Sequence, residues 1–398
     1  MVEVIAPVNI ALLKYWGKVD DLNIVPVADS LSLTLNSKHL HSRTKITLSD
    51  GVGQTFTLNG IQQVLPNRVK DVIIASQLRA MQKGAFNRFK RLDINSINNF
   101  PTAAGLASSA SGMASLAFGL SVLYGLDGDV AALARRGSGS ACRSMFGGIV
   151  HWKRFPSESK FRYQTVEQLF PHTHWPELRV LICVTSSHSK PVSSSVAMRR
   201  TVSTSPLFRE ARATVVRERL PRFVDALARR DFPTLAELTM RESNELHALC
   251  LDSWPPAIYL NATSFAIIDF VHTLNARLQR CVVAYTFDAG PNAFLLTLAD
   301  DAPLVLTLLS ECFRSPSVNL NEHKDKAKKA RLEESTDQRP HNFANLEVKG
   351  IQYASVDLSR SSVFAELLEV LPRCPNSIQY VLSTEIGPGP QVLKKNEQ

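Results

Sequence analysis

The sequence predicts an α+β protein built as two domains or as one large unit with two lobes. Three observations carry that expectation. The chain has 398 residues, which is long for a single core. Segments with strand-like patterning are interspersed with segments of helical periodicity. Composition turns linker-like at "SSHSKPVSSS", near residues 185 to 195. That places a first lobe at 1–187 and a second at 188–398.

The elements follow in order. "VEVIAPVNIALLKYW" reads as a strand that is then broken. "HSRTKITLSDGVGQTFTLNG" alternates well enough for two strands joined as a hairpin at Asp50-Gly51. Helical periodicity fills "PNRVKDVIIASQLRAMQKGAF" after Pro66-Asn67. "RLDINSINNF" is a short strand entering "NNFPTAAGLASSASG", residues 98 to 112. Met113, Leu116, Leu120 and Leu123 then mark one apolar helix face, with Gly125 as its stop. "DVAALARRGSGSACRSMFGGIVHW" reads as helix, Gly/Ser turn, short helix and strand. "LRVLICVTS" is a buried strand, and 206–250 is helical with a break near Asp231-Phe232-Pro233. "CVVAYTFDAGPNAFLLTLAD" is a strand, a tight turn and a second strand or helix. Residues 318–350 are charged and irregular and read as an exposed insertion. "IQYVLSTEIGPGPQVL" closes the chain with a strand.

Composition excludes several classes. The formal net charge is +9, but the basic residues are dispersed. The one local run, "KDKAKKARLEE", carries acidic residues within it. The excess therefore reads as solvated surface plus an anion site, with no nucleic-acid partner. Six cysteines stand far apart without a CxxC pair, which suits reduced thiols and neither a disulfide framework nor a zinc site. His247 and Cys250 have ligand-like spacing but no second pair nearby, so no protein metal site is expected. No apolar run approaches the roughly 20 residues of a membrane helix, and no targeting signal is apparent. No membrane partner is expected, and a cytoplasmic enzyme is the default.

Four segments carry chemistry. A loop of small residues opening a helix, as in 98–112, presents free N–H groups and the positive end of the helix dipole to an anion. The alternative is close packing of helix on sheet. The loop lacks the lysine of a Walker A motif. "GSGSACRS", 137–144, offers Ser138, Ser140 and Arg143 to a phosphate or carboxylate, or else is a turn with a surface arginine. Asp288, in "YTFDAGPNA", follows an apolar strand and reads as a tuned general base or as an Asx-turn residue. "PVNIALLKYWGK" sets Lys14, Tyr15 and Lys18 in an apolar segment, where they bind anions or snorkel to the surface.

Together, "PVNIALLKYWGK", "NNFPTAAGLASSASG", "RRGSGSACRSMFGG", "LDSWPPAIYLN" and "VAYTFDAGPNA", in this order, resemble the mevalonate diphosphate decarboxylase family of the GHMP kinase superfamily. "TEIGPGPQVL" looks like that family too. The resemblance covers about residues 5–310 and 376–393. It implies a GHMP kinase-like fold, with a ribosomal protein S5 domain 2-like, ATP-binding first lobe and a ferredoxin-like second lobe. It implies ATP with Mg2+, and phosphorylation of the tertiary 3-hydroxyl of (R)-5-diphosphomevalonate. Loss of phosphate and carbon dioxide then gives isopentenyl diphosphate in isoprenoid and sterol biosynthesis.

The resemblance also assigns residues. Pro101, Ala104, Gly105, Leu106, Ala107, Ser108, Ser109, Ser111 and Gly112 would cradle ATP, with Ser109 orienting its γ-phosphate. Asp288 would be the base, Arg143 would hold the substrate carboxylate or adjoining phosphate, and Lys14 would lie near the transferring phosphoryl group. Tyr15, Trp16, Gly17, Lys18, Arg68, Ser138, Gly139, Ser140, Ala141, Cys142, Arg143 and Thr204 would meet the substrate. A homodimer is implied as well. The chain departs from the family where Ala28 and Asp29 replace Asn-Ser, and where Ala197 replaces Gly. The rivals are a related mevalonate or phosphomevalonate kinase and a catalytically silent metabolite sensor. Release of ADP, phosphate and carbon dioxide in equal amounts separates the decarboxylase from both.

Overall fold

The computed structural model describes residues 1–21, 23–84, 90–100, 108–155, 164–186, 190, 192–313, 343, 346–357 and 362–396. Three main sheets organise these residues.

The first sheet has six strands, in the order Gln391–Lys395, Val2–Pro7, His41–Ser49, Arg91–Asn98, Gln54–Leu58 and Ile61–Gln63. The hairpin expected at Asp50-Gly51 does not form as a pair. Arg91–Asn98 inserts between the two strands, antiparallel to His41–Ser49 and parallel to Gln54–Leu58. Turn residues predict a reversal of the chain; they cannot report that a later strand takes the place between its arms.

Helices Asn67–Gln82 and Ser108–Tyr124 lie on this sheet around Ile46, Val72, Ile94, Leu116 and Leu120. The second helix packs closely because its inner face is small. A Cβ at Gly119 would stand 2.9 Å from Ile46 Cδ1. Hydroxyl pairs complete the contact: Ser111 Oγ lies 2.7 Å from Ser42 Oγ, and Ser115 Oγ lies 2.6 Å from Thr44 Oγ1. Gly125, at φ +64°, follows the helix in the left-handed conformation expected of a C-terminal stop.

A four-stranded sheet, in the order Gln164–Phe170, Ile149–Arg154, Ser30–Thr34 and Asn9–Leu13, backs the cleft. The third sheet runs Val283–Phe287, Ala293–Leu298, Leu178–Val184, Tyr380–Glu385 and Val348–Gly350. From Val180 to Val184 this strand is continuously apolar and buried because both of its faces are covered. Val180 and Ile182 enter one core, while Leu181 and Cys183 enter another beneath helices Ala262–Leu278 and Ala302–Phe313. Of the insertion expected at 318–350, residues 318–342, 344 and 345 lie outside the described residues. Its end is no insertion: Phe343, Leu346 and Val348 are buried in the core, and Val348–Gly350 is a strand parallel to Tyr380–Glu385.

Helices Pro206–Arg229 and Phe232–Asp252 run from the core to the cleft. They part where expected. Arg230 is left-handed at φ 56°, and the Asp231 side chain accepts the Thr234 N–H as an N-cap. Among the described residues, no helix is long and apolar enough to cross a membrane.

Candidate active site

The main cleft, of about 470 Å³, lies where these elements converge. Its lining gathers segments distant in sequence: Lys14 to Trp16 and Lys18, Arg68, Ser108 and Ser109, Gly137 to Ser140, Arg143, Lys190, Ser193 to Ser195, Met198 and Arg199, and Asp288.

Asp288 sits in the turn after strand Val283–Phe287, and its Oδ1 is 2.8 Å from Lys14 Nζ. Their side chains are 28% and 2% exposed, so the carboxylate faces the cleft and the ammonium stands behind it. Burial pulls Lys14 below the ordinary lysine value, while Asp288 and Glu242 oppose that pull. Lys14, expected near the transferring phosphoryl group, lines the cleft with its ammonium held by Asp288.

Behind Lys14 is a buried ionic cluster. Glu242 Oε2 accepts the Lys14 backbone N–H at 3.1 Å, and Arg212 Nη2 donates to the Lys14 carbonyl at 2.6 Å. Arg212 and Glu242 bond each other at 3.1 Å with almost no solvent exposure. Burial alone would raise the Glu242 carboxyl; the Arg212 and Arg219 guanidiniums win and hold it below its ordinary value.

The Gly/Ser segment forms the opposite wall as the 3-10 helix Gly139–Met145. Ser138 Oγ lies 3.4 Å from Ser109 Oγ and 3.3 Å from Ser140 Oγ, so three hydroxyls line up across the cleft. Arg143 is buried; it donates to Ser30 Oγ at 2.9 Å and Asn9 Oδ1 at 3.3 Å, and its Nε has no partner among the described residues. The Tyr15 ring lies tilted against Trp152, with 4.6 Å between centroids, and its buried hydroxyl is unpartnered among the described residues. Burial pushes that phenol upward, so it stays protonated and can donate. Gly139 is needed here, because a Cβ would stand 2.5 Å from Tyr15 Oη. At Gly17, φ is +88° and a Cβ would stand 2.4 Å from Phe208.

Not every expected residue faces the cleft. Pro101, Ala104, Gly105, Leu106 and Ala107 lie outside the described residues. Ser111 is buried against Ser42, and Gly112 lines a neighbouring apolar pocket. The two readings of residues 98–112 therefore divide: Ser108 and Ser109 face the cleft, whereas Ser111 and the residues after it serve helix packing. Ala141 and Cys142 are buried away from the lining. Trp16 donates its indole N–H to Thr201 Oγ1 at 3.0 Å, and Lys18 Nζ lies 2.9 Å from Asp21 Oδ1. Arg68 reaches Ser195 Oγ at 2.6 Å. Thr204 stands apart from the cleft; its hydroxyl donates to the Arg200 carbonyl and accepts the Trp254 N–H. Asp29 is equally structural, accepting from His151 Nε2 at 2.8 Å and the Arg154 N–H at 2.9 Å.

Sequence reasoning missed Asn9 and Lys190. Asn9 holds the 3-10 helix Gly139–Met145 at three residues: it donates to the Ser140 carbonyl and Ser144 Oγ and accepts from Arg143. A lone amide in the apolar strand Asn9–Leu13 was the available signal. Lys190 donates to Ser194 Oγ at 2.9 Å and is near enough to Asp288 for that charge to offset its burial. Its linker-like surroundings hid it.

The described geometry agrees with comparison to known proteins. Residues 6–160 match the diphosphomevalonate decarboxylase-like N-terminal domain, and residues 180–393 match the mevalonate 5-diphosphate decarboxylase C-terminal domain. The chain belongs to the diphosphomevalonate decarboxylase family. It is 39% identical to the diphosphomevalonate decarboxylase of Homo sapiens over 398 residues, 98% of this chain and 92% of that protein. The solved mevalonate diphosphate decarboxylase of Trypanosoma brucei superposes with a TM-score of 0.80 at 32% identity, covering 100% of this chain and 99% of that one. A structure of the Enterococcus faecalis decarboxylase, concerned with ATP binding mediated by mevalonate diphosphate, gives a TM-score of 0.71 at 27% identity over 99% of both chains. A further one, MDDEF in complex with MVAPP, AMPPCP and magnesium, gives the same figures. The fold is thus the GHMP kinase-like, two-lobed α+β arrangement. The function is that of diphosphomevalonate decarboxylases: ATP-dependent decarboxylation of diphosphomevalonate in the mevalonate pathway.

Proposed function

We propose that the chain turns (R)-5-diphosphomevalonate over in the 470 Å³ cleft, with Asp288 as the reacting carboxylate and Lys14 as its fixed counter-ion. The observation that carries this reading is the Lys14–Asp288 contact, which sets a carboxylate in a cleft that also presents Ser109, Ser138 and Ser140 and the cations Lys18, Arg68, Arg143 and Lys190, with Asp21 and Asp71 as its other carboxylates.

A tertiary alcohol is a poor nucleophile. Asp288 would accept its proton as the oxygen attacks the γ-phosphorus of ATP. Phosphorylation makes that oxygen a leaving group. The C3–O bond breaks, the C1–C2 bond electrons become the new double bond, and carbon dioxide departs. Asp288 would also offset positive charge at C3. Arg143 would orient the substrate carboxylate or its neighbouring phosphate. Tyr15, Lys18, Ser138 and Ser140 would hold the diphosphate, with Arg68 at the rim. Ser109 and Lys190 would meet the γ-phosphate.

The nucleotide has a second fit. An apolar pocket of about 220 Å³, lined in part by Phe56, Leu58, Val69, Met113 and Leu116, adjoins the cleft through Ser108 and Ser109. It suits a base, leaving the phosphates at the helix N-terminus. Magnesium binds largely through nucleotide phosphates and would need no carboxylate cluster. Among the described residues there is no group of three His, Cys, Asp or Glu placed for a metal.

A division into two lobes placed before Leu178 instead of at 187 and 188, a homodimer and a cytoplasmic location complete the reading. Sheet membership supports assigning Leu178–Val184 to the second lobe and Gln391–Lys395 to the first. Light scattering tests the dimer, and fractionation tests the location.

Asp288→Asn tests the chemistry. The amide keeps the shape but cannot take the proton, and loss of a general base costs about 10²- to 10⁴-fold. Calorimetry should still find both ligands bound, while single-turnover phosphate release collapses. Near-normal release would remove Asp288 from the reaction. Failure of either ligand to bind a folded variant would make it structural.

A further inference from the structure

Helix Phe232–Asp252 meets the reacting pair from beneath with polar side chains on successive turns. Glu242 takes the Lys14 backbone N–H at 3.1 Å. Ser243 Oγ accepts the backbone N–H of Phe287, the residue before Asp288, at 2.9 Å. The His247 ring lies beside the main chain of the same Phe287. Its buried Nε2 has no partner among the described residues. The ring stands edge-on to Phe287 and Tyr259 at 6.3 and 6.5 Å.

Residues four apart on a helix share a face, so Ser243 and His247 grip one peptide segment together. Glu242, Ser243 and His247 are 0%, 1% and 7% exposed. Buried polar groups need partners, and a packed core could satisfy them anywhere. Here the partners are the backbones that carry Lys14 and Asp288.

We propose that Glu242, Ser243 and His247 are positioning residues, and that this helix sets the register in which Lys14 and Asp288 meet. The proposal rests on the Lys14–Asp288 reading above. None of the three needs to touch substrate. Reacting groups tolerate little displacement, and about 1 Å can cost on the order of 10²-fold in rate.

The experiment compares Ser243→Ala, His247→Phe and His247→Asn in the full chain by kcat, KM for ATP and diphosphomevalonate, and Tm. Phenylalanine keeps the apolar bulk and loses both ring nitrogens; asparagine restores a polar N–H beside the Phe287 main chain. Expected are a kcat loss of about tenfold in His247→Phe and a smaller one in Ser243→Ala, with KM held within about twofold. His247→Asn should recover most of the rate. If His247→Phe does not fold, Ser243→Ala and His247→Asn decide. A kcat within twofold of wild type in Ser243→Ala and His247→Phe overturns the proposal. So does a loss that follows Tm and is not recovered in His247→Asn. Asp288→Asn, run beside them, separates the two readings: if it is inactive while the helix variants are normal, only the positioning role falls. If it is active, both fall.

Discussion

Nζ of Lys14 stands 2.8 Å from Oδ1 of Asp288, across 274 positions of the chain. One residue follows strand Asn9–Leu13, and the other follows strand Val283–Phe287. The order of the pair gives the cleft its direction. The ammonium is almost fully enclosed, and the carboxylate is the more exposed of the two. On the reading proposed above, Asp288 would keep one oxygen oriented by Lys14 and leave the other for the alcohol.

Ser138→Ala should weaken substrate binding more than turnover. Its proposed phosphate contact is present in ground and transition states alike, and uniform binding appears in KM. Steady-state kinetics decide the point. A normal KM with a collapsed kcat would give Ser138 a part in the chemistry.

Gly139→Ala should damage the site through Tyr15. The added Cβ would stand 2.5 Å from Tyr15 Oη and 2.8 Å from its Cζ, so the ring must leave its place against Trp152. KM for diphosphomevalonate should rise about tenfold, the equivalent of roughly 1.4 kcal/mol of binding. Pairing this change with Tyr15→Phe in a double-mutant cycle should show strong coupling. Simple additivity would place the glycine's importance elsewhere.

Glu242→Gln should move the alkaline limb of the kcat–pH profile to lower pH. Lys14 feels Asp288 and Glu242 as supports for its charge, and burial and Arg143 as opponents. His247 nearby is neutral at pH 7. Removing the Glu242 charge lets the Lys14 value fall further, so its cation is lost sooner as pH rises. Breaking a buried ion pair typically costs about 3–5 kcal/mol. Glu245, 3.0 Å from Arg212, should hold the loss to the lower end. An unmoved alkaline limb in a folded variant would show that Lys14 does not titrate in the rate.

His247 predicts an acid-dependent stability. Burial pushes its imidazole down to about 4 from 6.5. Between those values the unfolded chain binds the proton and the folded chain does not, so stability falls as pH drops. The stability present above 6.5 is reduced by roughly 3 kcal/mol on reaching pH 4, at about 1.36 kcal/mol per unit. His247→Asn should flatten that stretch of the curve, read by urea unfolding at a series of pH values. Parallel curves for the two proteins would assign the acid sensitivity to other groups.

Much of the local structure was legible in the sequence because local physics decides it. The helix after residue 108, the break at Asp231 and the buried strand Leu178–Val184 follow from periodicity, capping and apolar runs. The groups of the site were legible as well: Asp288 after an apolar strand, serines between glycines, and a small-residue loop before a helix. Resemblance added which chemistry they serve.

What needed the tertiary structure is whatever depends on which strand lies beside which. The sheet order that displaces the Asp50-Gly51 hairpin is one case, since pairing partners are chosen by the whole core. The entry of Phe343, Leu346 and Val348 into that core is another. Asp29, a departure from the family pattern, proved to belong to His151. The pairing of Lys14 with Asp288 was not legible in either segment alone. His247 offered no sequence signal beyond its ligand-like spacing from Cys250. A side chain's type fixes what it can do, and its own segment fixes the face it presents. The group waiting on that face comes from elsewhere in the chain, and only folding brings it there.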